Sequence, residues 1–193
     1  MERAAAVDEL KRVYSTLGAD VDLALELGRR DPGQFAHRTL FRTYFAFVEG
    51  LAFQLRNVTL ASLQDTDFLT PGELALLREE RFQLNRKGVP EARENFQSAL
   101  PGLLFSIRCY AKNHGATYEP KTGDAGWDAM QKAVDIRDRL THPKSAAGLE
   151  VTEDDSRQLA AAAAWWKRTL LEMLTACGEA DEYFRKQLGE AGA

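Results

Sequence analysis

Strand signals are what this chain has least of. Apolar and polar residues rarely alternate at period two, so folds built on sheets are excluded at the outset. Cysteine is scarce as well. The two cysteines, Cys109 and Cys177, lie far apart and form no Cys-x-x-Cys pair. That argues against a disulfide framework or a zinc site and suits a reducing cytoplasm, the expected location. No stretch approaches the roughly 20 consecutive apolar residues a membrane-spanning helix needs, and no N-terminal run reads as a signal peptide, so no membrane partner is expected. Positive charge is not in excess. A net charge of -4 excludes a surface coated in nucleic acid, while leaving room for a small basic cleft on an acidic body. The three histidines, His37, His114 and His142, are scattered and form no His-x-x-x-His pair. Neither a metal nor a cofactor is expected.

What the chain does have is helical periodicity. Its 193 residues are enough for one domain with a real core, taken here as 1–193 with residues 1–30 as an N-terminal helical extension. Apolar residues recur at three- and four-residue spacings, with Pro and Gly where helices should begin or end. The first helix is expected from Glu2 to about Leu27, broken at Gly18. Asp31-Pro32 should open the second, whose apolar face comprises Leu40, Phe41, Tyr44, Phe45, Val48, Leu51, Ala52 and Leu55, with Phe47 and Phe53 beside it. Thr70-Pro71-Gly72-Glu73 is a capping box that predicts a helix to about Leu84. A further helical run follows Gly88-Val89-Pro90, bends near Pro101-Gly102 and stops at Asn113-His114-Gly115. The segment Arg78 to Lys87 reads as a solvated face of mixed charge.

Asp124 or Gly126 should start a helix buried along Trp127, Met130, Val134 and Ile136 or Leu140. Pro143 disfavours helical geometry at His142, so this helix ends around Thr141. Thr152-Glu153-Asp154-Asp155 caps a closing helix to about Cys177, with Trp166, Leu170 and Leu174 on one side. A last piece, Glu179 to Leu188, extends it or packs beside it. Trp165 and Trp166 cannot both face one core, so one of them is expected at an interface. Together these signals give an all-α, up-and-down bundle of five to seven helices, with 124–177 holding a motif helix, a loop and the closing helix.

The chemistry concentrates at Arg137-Asp138-Arg139-Leu140-Thr141-His142. Arg137 is a fixed cation that can hold a phosphate with two parallel hydrogen bonds, and His142 can carry a proton near neutral pH. With the helix stopped before Pro143, the imidazole is free to swing toward the guanidinium. Asp138 can orient either group, and Arg139, Lys144 and Lys132 raise the local positive potential as candidate substrate-binding residues. Arg38 and Arg42, one turn apart, can line the same cleft, although helix arginines are usually solvated. Glu49 is placed to pair with a cleft arginine. The plain structural alternative is that Arg137 and His142 merely complement the negative end of a helix dipole.

The frame Ile136-Arg137-Asp138-Arg139-Leu140-Thr141-His142-Pro143-Lys144 resembles the signature of the HEPN superfamily: Arg, a polar residue, three more residues, then His. The order of a Phe-rich helix, a motif helix, a polar loop and a long closing helix is similar too. The resemblance implies catalytic roles for Arg137, His142 and Asp138. It also implies a homodimer with two motifs across a composite cleft, single-stranded RNA as substrate, and a metal-independent endoribonuclease of the toxin or phage-defence kind. Its products would carry 2′,3′-cyclic phosphate and 5′-hydroxyl ends. An antitoxin or other protein partner fits the same picture. The family also contains non-catalytic modules that bind nucleotide or a protein partner, and this is the alternative expectation.

Overall fold

The computed structural model describes residues 2–63, 68–94 and 98–191. Among them the chain is mainly helical, as expected: α1 (Arg3–Arg30), α2 (Gln34–Ala61), α3 (Pro71–Leu77), α4 (Ala99–Asn113), α5 (Ala125–Thr141) and α6 (Glu153–Ala191). A single 3₁₀ turn covers Ala147–Leu149, and one antiparallel hairpin joins β1 (Glu80–Leu84) to β2 (Pro90–Glu94). The chain divides into two compact units. The first is Met1–Val7, Ala52–Glu119 and Met173–Ala193; the second is Asp8–Leu51 and Pro120–Glu172.

The second unit is a four-helix arrangement built from parts of α1, α2 and α6 together with α5. A Cβ at Gly50 of α2 would lie 2.7 Å from Leu17 of α1, and Tyr14 and Phe47 rings meet at 5.6 Å. Towards the other end, Ala24 and Gly28 of α1 line one cavity with Ala36 and Phe41 of α2, so residue numbers rise on one helix as they fall on the other and the pair is an antiparallel hairpin. The same rule holds for α2 with α5 and for α5 with α6, giving the expected up-and-down course. The α2 face lies where its periodicity puts it: Phe41, Tyr44, Phe45, Val48 and Leu51 are buried. Helix α5 buries Trp127, Ala129, Met130, Ala133, Ile136 and Leu140, with Val134 only half-buried.

Several expectations on helix extent are corrected. Helix α1 runs through Gly18 unbroken, because that glycine lies inside a helix packed on α2, where a Cβ would sit 3.9 Å from Phe47. Helix α2 begins at Gln34, so Asp31-Pro32 belongs to the connection rather than to a cap. Helix α6 is continuous over 39 residues, and its buried side is Leu159, Ala162, Trp165, Trp166, Thr169, Met173 and Cys177, while Leu174 is exposed. Both tryptophans are buried, against expectation. Neighbours one hundred degrees apart on a helix can both be covered when the buried arc is wide. Trp165 meets Trp127 at 5.0 Å, donates its indole N–H to the Lys121 carbonyl at 2.8 Å, and rests on Gly126, where a Cβ would come within 2.9 Å.

In the first unit the capping box at Thr70 is present in full, with Glu73 returning to the Thr70 amide at 2.7 Å. The helix it opens stops at Leu77, though, and the expected helical continuation is the β1–β2 hairpin. Its turn is set by Asn85 and Gly88. The Asn85 side-chain oxygen accepts from the amides of Lys87 and Val89, and Gly88 takes the left-handed conformation at φ 72°. Helix α4 begins only at Ala99, with Pro101 in its first turn, where a missing N–H costs nothing. Its stop is as expected. Gly115 adopts φ 70° and Ala116 N–H returns to the Ala111 carbonyl. Leu69, Leu77 and Cys109 form a buried cluster under Leu60, Leu63, Leu74 and Phe105.

Candidate active site

The sequence logic of α5 is realised at both ends. Asp124 caps it, its carboxylate accepting from the Trp127 amide at 3.0 Å. That hydrogen bond, reinforced by Arg168 at 2.5 Å, holds the Asp124 carboxyl below the usual carboxylate range. At the far end His142 is the capping residue, with φ -122° and ψ 62°, outside helical geometry as Pro143 demands. Its own N–H still closes onto the Asp138 carbonyl at 2.8 Å. The terminal carbonyls of α5 are otherwise orphans. Among them Leu140's accepts from Arg42 of α2 at 2.8 Å, while just inside the end Thr141 Oγ1 adds a hydrogen bond to the Arg137 carbonyl at 2.8 Å.

Arg137 is held on three sides. Its guanidinium donates through Nη2 to Glu49 of α2 and pairs through Nη1 with Asp138 at 2.9 Å. It lies over the Phe45 ring, 5.5 Å from the centroid. Its side chain is only 19% exposed, whereas Glu49 and Asp138 remain 48% and 56% exposed. Its Nε is buried with no hydrogen-bond partner. Thus the candidate catalytic cation is anchored by an acid from a different helix and an aromatic ring, on top of the neighbouring Asp138 that the sequence singles out. Phe45 is the residue that sequence reading assigns to core alone.

His142 is the opposite case. Its side chain is exposed, and no side chain among the described residues hydrogen-bonds or ion-pairs with it. Thr141, Pro143, Lys144 and Ser145 around it are exposed too. The motif therefore couples an anchored guanidinium to an unencumbered imidazole on one helix end.

The remaining cations divide by role. Arg139 donates to the carbonyls of Gly148 (2.9 Å) and Glu150 (2.6 Å) and pairs with Asp155 at 2.9 Å. Arg38 donates to the Leu149 carbonyl at 3.3 Å. Gln34 takes both polar groups of Val151, donating to its carbonyl at 2.9 Å and accepting from its N–H at 2.8 Å. Four successive carbonyls, Gly148 to Val151, are thereby engaged from α2 and α5. Gln34, Arg38, Arg42 and Glu49 recur on α2 at spacings of four and seven, which places them on one face. That spacing was the signal available in the sequence. Their partners are mostly backbone atoms, which no pattern announces. Lys144 is exposed in the loop beside His142. Lys132 is exposed on α5, seven positions before Arg139 and so on that residue's face rather than Arg137's.

His37 lies elsewhere on the second unit. It lines a cavity of about 240 Å³ with Ala24, Gly28, Ala36, Phe41 and Leu159. Among the described residues, no group of three or more His, Cys, Asp and Glu side chains is placed to hold a metal ion, and no helix is long and apolar enough to cross a membrane. Compared with protein-family models, curated proteins and solved structures, the chain matches none.

Proposed function

We propose that this protein is a metal-independent endoribonuclease of HEPN type, with His142 as proton carrier and Arg137 as the phosphate-facing cation. The observation that carries the reading is the contrast within the motif: an imidazole left exposed and unpartnered, five positions along the chain from a guanidinium fixed by Glu49, Asp138 and Phe45. A general base must be reachable, and a charge stabiliser must be preorganised. His142 takes the proton of a ribose 2′-hydroxyl as that oxygen attacks phosphorus. The bond to the 5′-oxygen breaks, and a proton from solvent or from a second copy's imidazole completes the leaving group. Arg137 offsets the charge on the phosphorane oxygens. A homodimer would set two such helix ends across one cleft, and Lys144 would meet the backbone of a single-stranded substrate. DNA, lacking the attacking hydroxyl, is inert.

Purified protein is expected to cut single-stranded RNA in EDTA, leaving 2′,3′-cyclic phosphate ends. Arg137→Ala and His142→Ala are each expected to abolish cutting without altering the helical signal. Undiminished cleavage by the His142→Ala variant removes the enzyme reading. One observation favours a second reading, a non-catalytic module that binds nucleotide or a protein partner: Arg137 is already neutralised by two carboxylates. That reading expects binding of RNA or nucleotide with no cleavage by the intact chain.

A further inference from the structure

The carboxylates on Arg137 pose a problem that their geometry also answers. A guanidinium whose charge is matched twice over cannot receive a phosphate unless one acid gives way. We infer that Glu49 is a positioning residue that occupies the phosphate's place on Arg137 and is exchanged for a phosphodiester when substrate arrives. This rests on the nuclease reading for its purpose, though not for its test.

Three observations single out Glu49 rather than Asp138. Glu49 reaches Arg137 from another helix through one contact, Oε1 to Nη2, and its side chain is 48% exposed. Withdrawal returns to water a carboxylate that is already half hydrated, and the incoming phosphate takes over the charge it leaves on the mostly buried guanidinium. Asp138 is instead the next residue on α5, holding the opposite corner at Nη1. Second, Nη2 and Nε share one edge of the guanidinium, and Nε is buried without a partner. The Glu49 contact therefore leaves that edge one hydrogen bond short. A phosphodiester has two free oxygens at a spacing that fits both donors, so exchange replaces one bond with a parallel pair. Third, Phe45 lies under the guanidinium plane and Asp138 stays in place, so Arg137 keeps its orientation after Glu49 leaves. Glu49 thus keeps the cation aimed and desolvated between substrates, and competes with weak anions for it.

The experiment separates charge from geometry. Binding of a 2′-O-methyl RNA oligonucleotide, which cannot be cut, is measured by titration on the His142→Ala background with Glu49 intact or as Glu49→Gln. Glutamine keeps the acceptor oxygen and removes the competing charge, so binding is expected to tighten about two- to fivefold. Glu49→Ala on the His142 background removes the competitor outright, and inorganic phosphate is expected to inhibit its RNA cleavage about two- to fivefold more strongly than the parent's, equal inhibition counting against the exchange. Unchanged or weaker binding by Glu49→Gln overturns the exchange and makes Glu49 a strut between helices. If the intact chain cuts no RNA yet Glu49→Gln binds tighter, the nuclease reading fails and the exchange stands.

Discussion

Two helices of this chain end on a histidine, and the two ends behave oppositely. At the end of α4, His114 is 14% exposed, its ring tilted against that of Tyr110 with centroids 4.8 Å apart and its Nδ1 3.6 Å from Asp181. At the end of α5, His142 is exposed and touches no polar partner among the described residues. The backbone explains the difference. His114 keeps near-helical angles (φ -88°, ψ 7°), and Gly115 then turns left-handed to send the chain back over the helix. His142 is turned out of the helix (ψ 62°) ahead of Pro143. Glycine after the cap folds a histidine into the packing, while proline after the cap keeps it out. The same residue type at the same cap position is therefore structural in one unit and available for chemistry in the other.

The sharpest way to break this contrast is a pair of alanine substitutions. His142→Ala is expected to lower RNA cleavage by about 10²- to 10⁴-fold, the usual worth of a general acid or base, with its Tm within about 1 °C of the parent. A large fall in Tm would mean that the exposed imidazole is structural after all. The next largest effect is expected at Gly115→Ala. A Cβ there would meet Phe184 Cε2 at 2.5 Å and sit in a left-handed conformation, a strain on the order of 1–3 kcal/mol. That should lower Tm by about 2–10 °C in a thermal melt. His114→Ala is expected to cost about 1 kcal/mol, or about 2–4 °C, with cleavage retained. Equal stability of His114→Ala and the parent would erase the distinction between the two ends.

Two smaller tests ask whether the α4 end stays closed. Burial pushes the Cys109 thiol up to about 12 and the Cys177 thiol up to about 11. A colourless-to-yellow thiol reagent at pH 8 should label neither in the native chain at an appreciable rate and both in denaturant; fast native labelling would show that end opening. The gentlest effect concerns acid. Burial raises Glu73, but hydrogen bonds from Lys112 and Thr70 outweigh it and leave its carboxyl below the usual range. The folded chain then binds fewer protons there than the unfolded one. Its contribution is full above the ordinary carboxylate pKa and disappears as pH falls through the lowered value. Glu73→Gln should flatten the acid side of a Tm-against-pH curve, and an unchanged slope would refute the assignment.

Much of this was readable in the sequence, for reasons that can be named. Asp124, Pro143, Thr70, Gly115 and Thr152 act through their immediate neighbours, so the boundaries they set are local facts. The reciprocal Thr152–Asp155 pairing at the start of α6 is an example, at 2.8 and 3.1 Å. The hairpin escapes a sequence reading because its strands are short and rich in Glu, Arg and Gln, with only Phe82 and Leu84 as bulky apolar residues alternating with polar neighbours. Asn85 and Gly88 carry the turn signal, but in the sequence Asn85 reads as part of a charged face and Gly88 as the approach to the next helix. At the site, Arg137 and His142 stood out by type and spacing, and the pairing of Glu49 was foreseen. The roles of Gln34, Arg38, Arg42 and Arg139 were not, because each depends on which main-chain atom a distant segment brings within reach.

That last group has a consequence for how the protein can change over generations. Gln34, Arg38 and Arg139 grasp residues 148 to 151 by peptide atoms that every amino acid possesses. Leu149 or Glu150 can be exchanged for almost anything without loosening that hold, so the letters there can drift while the path of the chain endures.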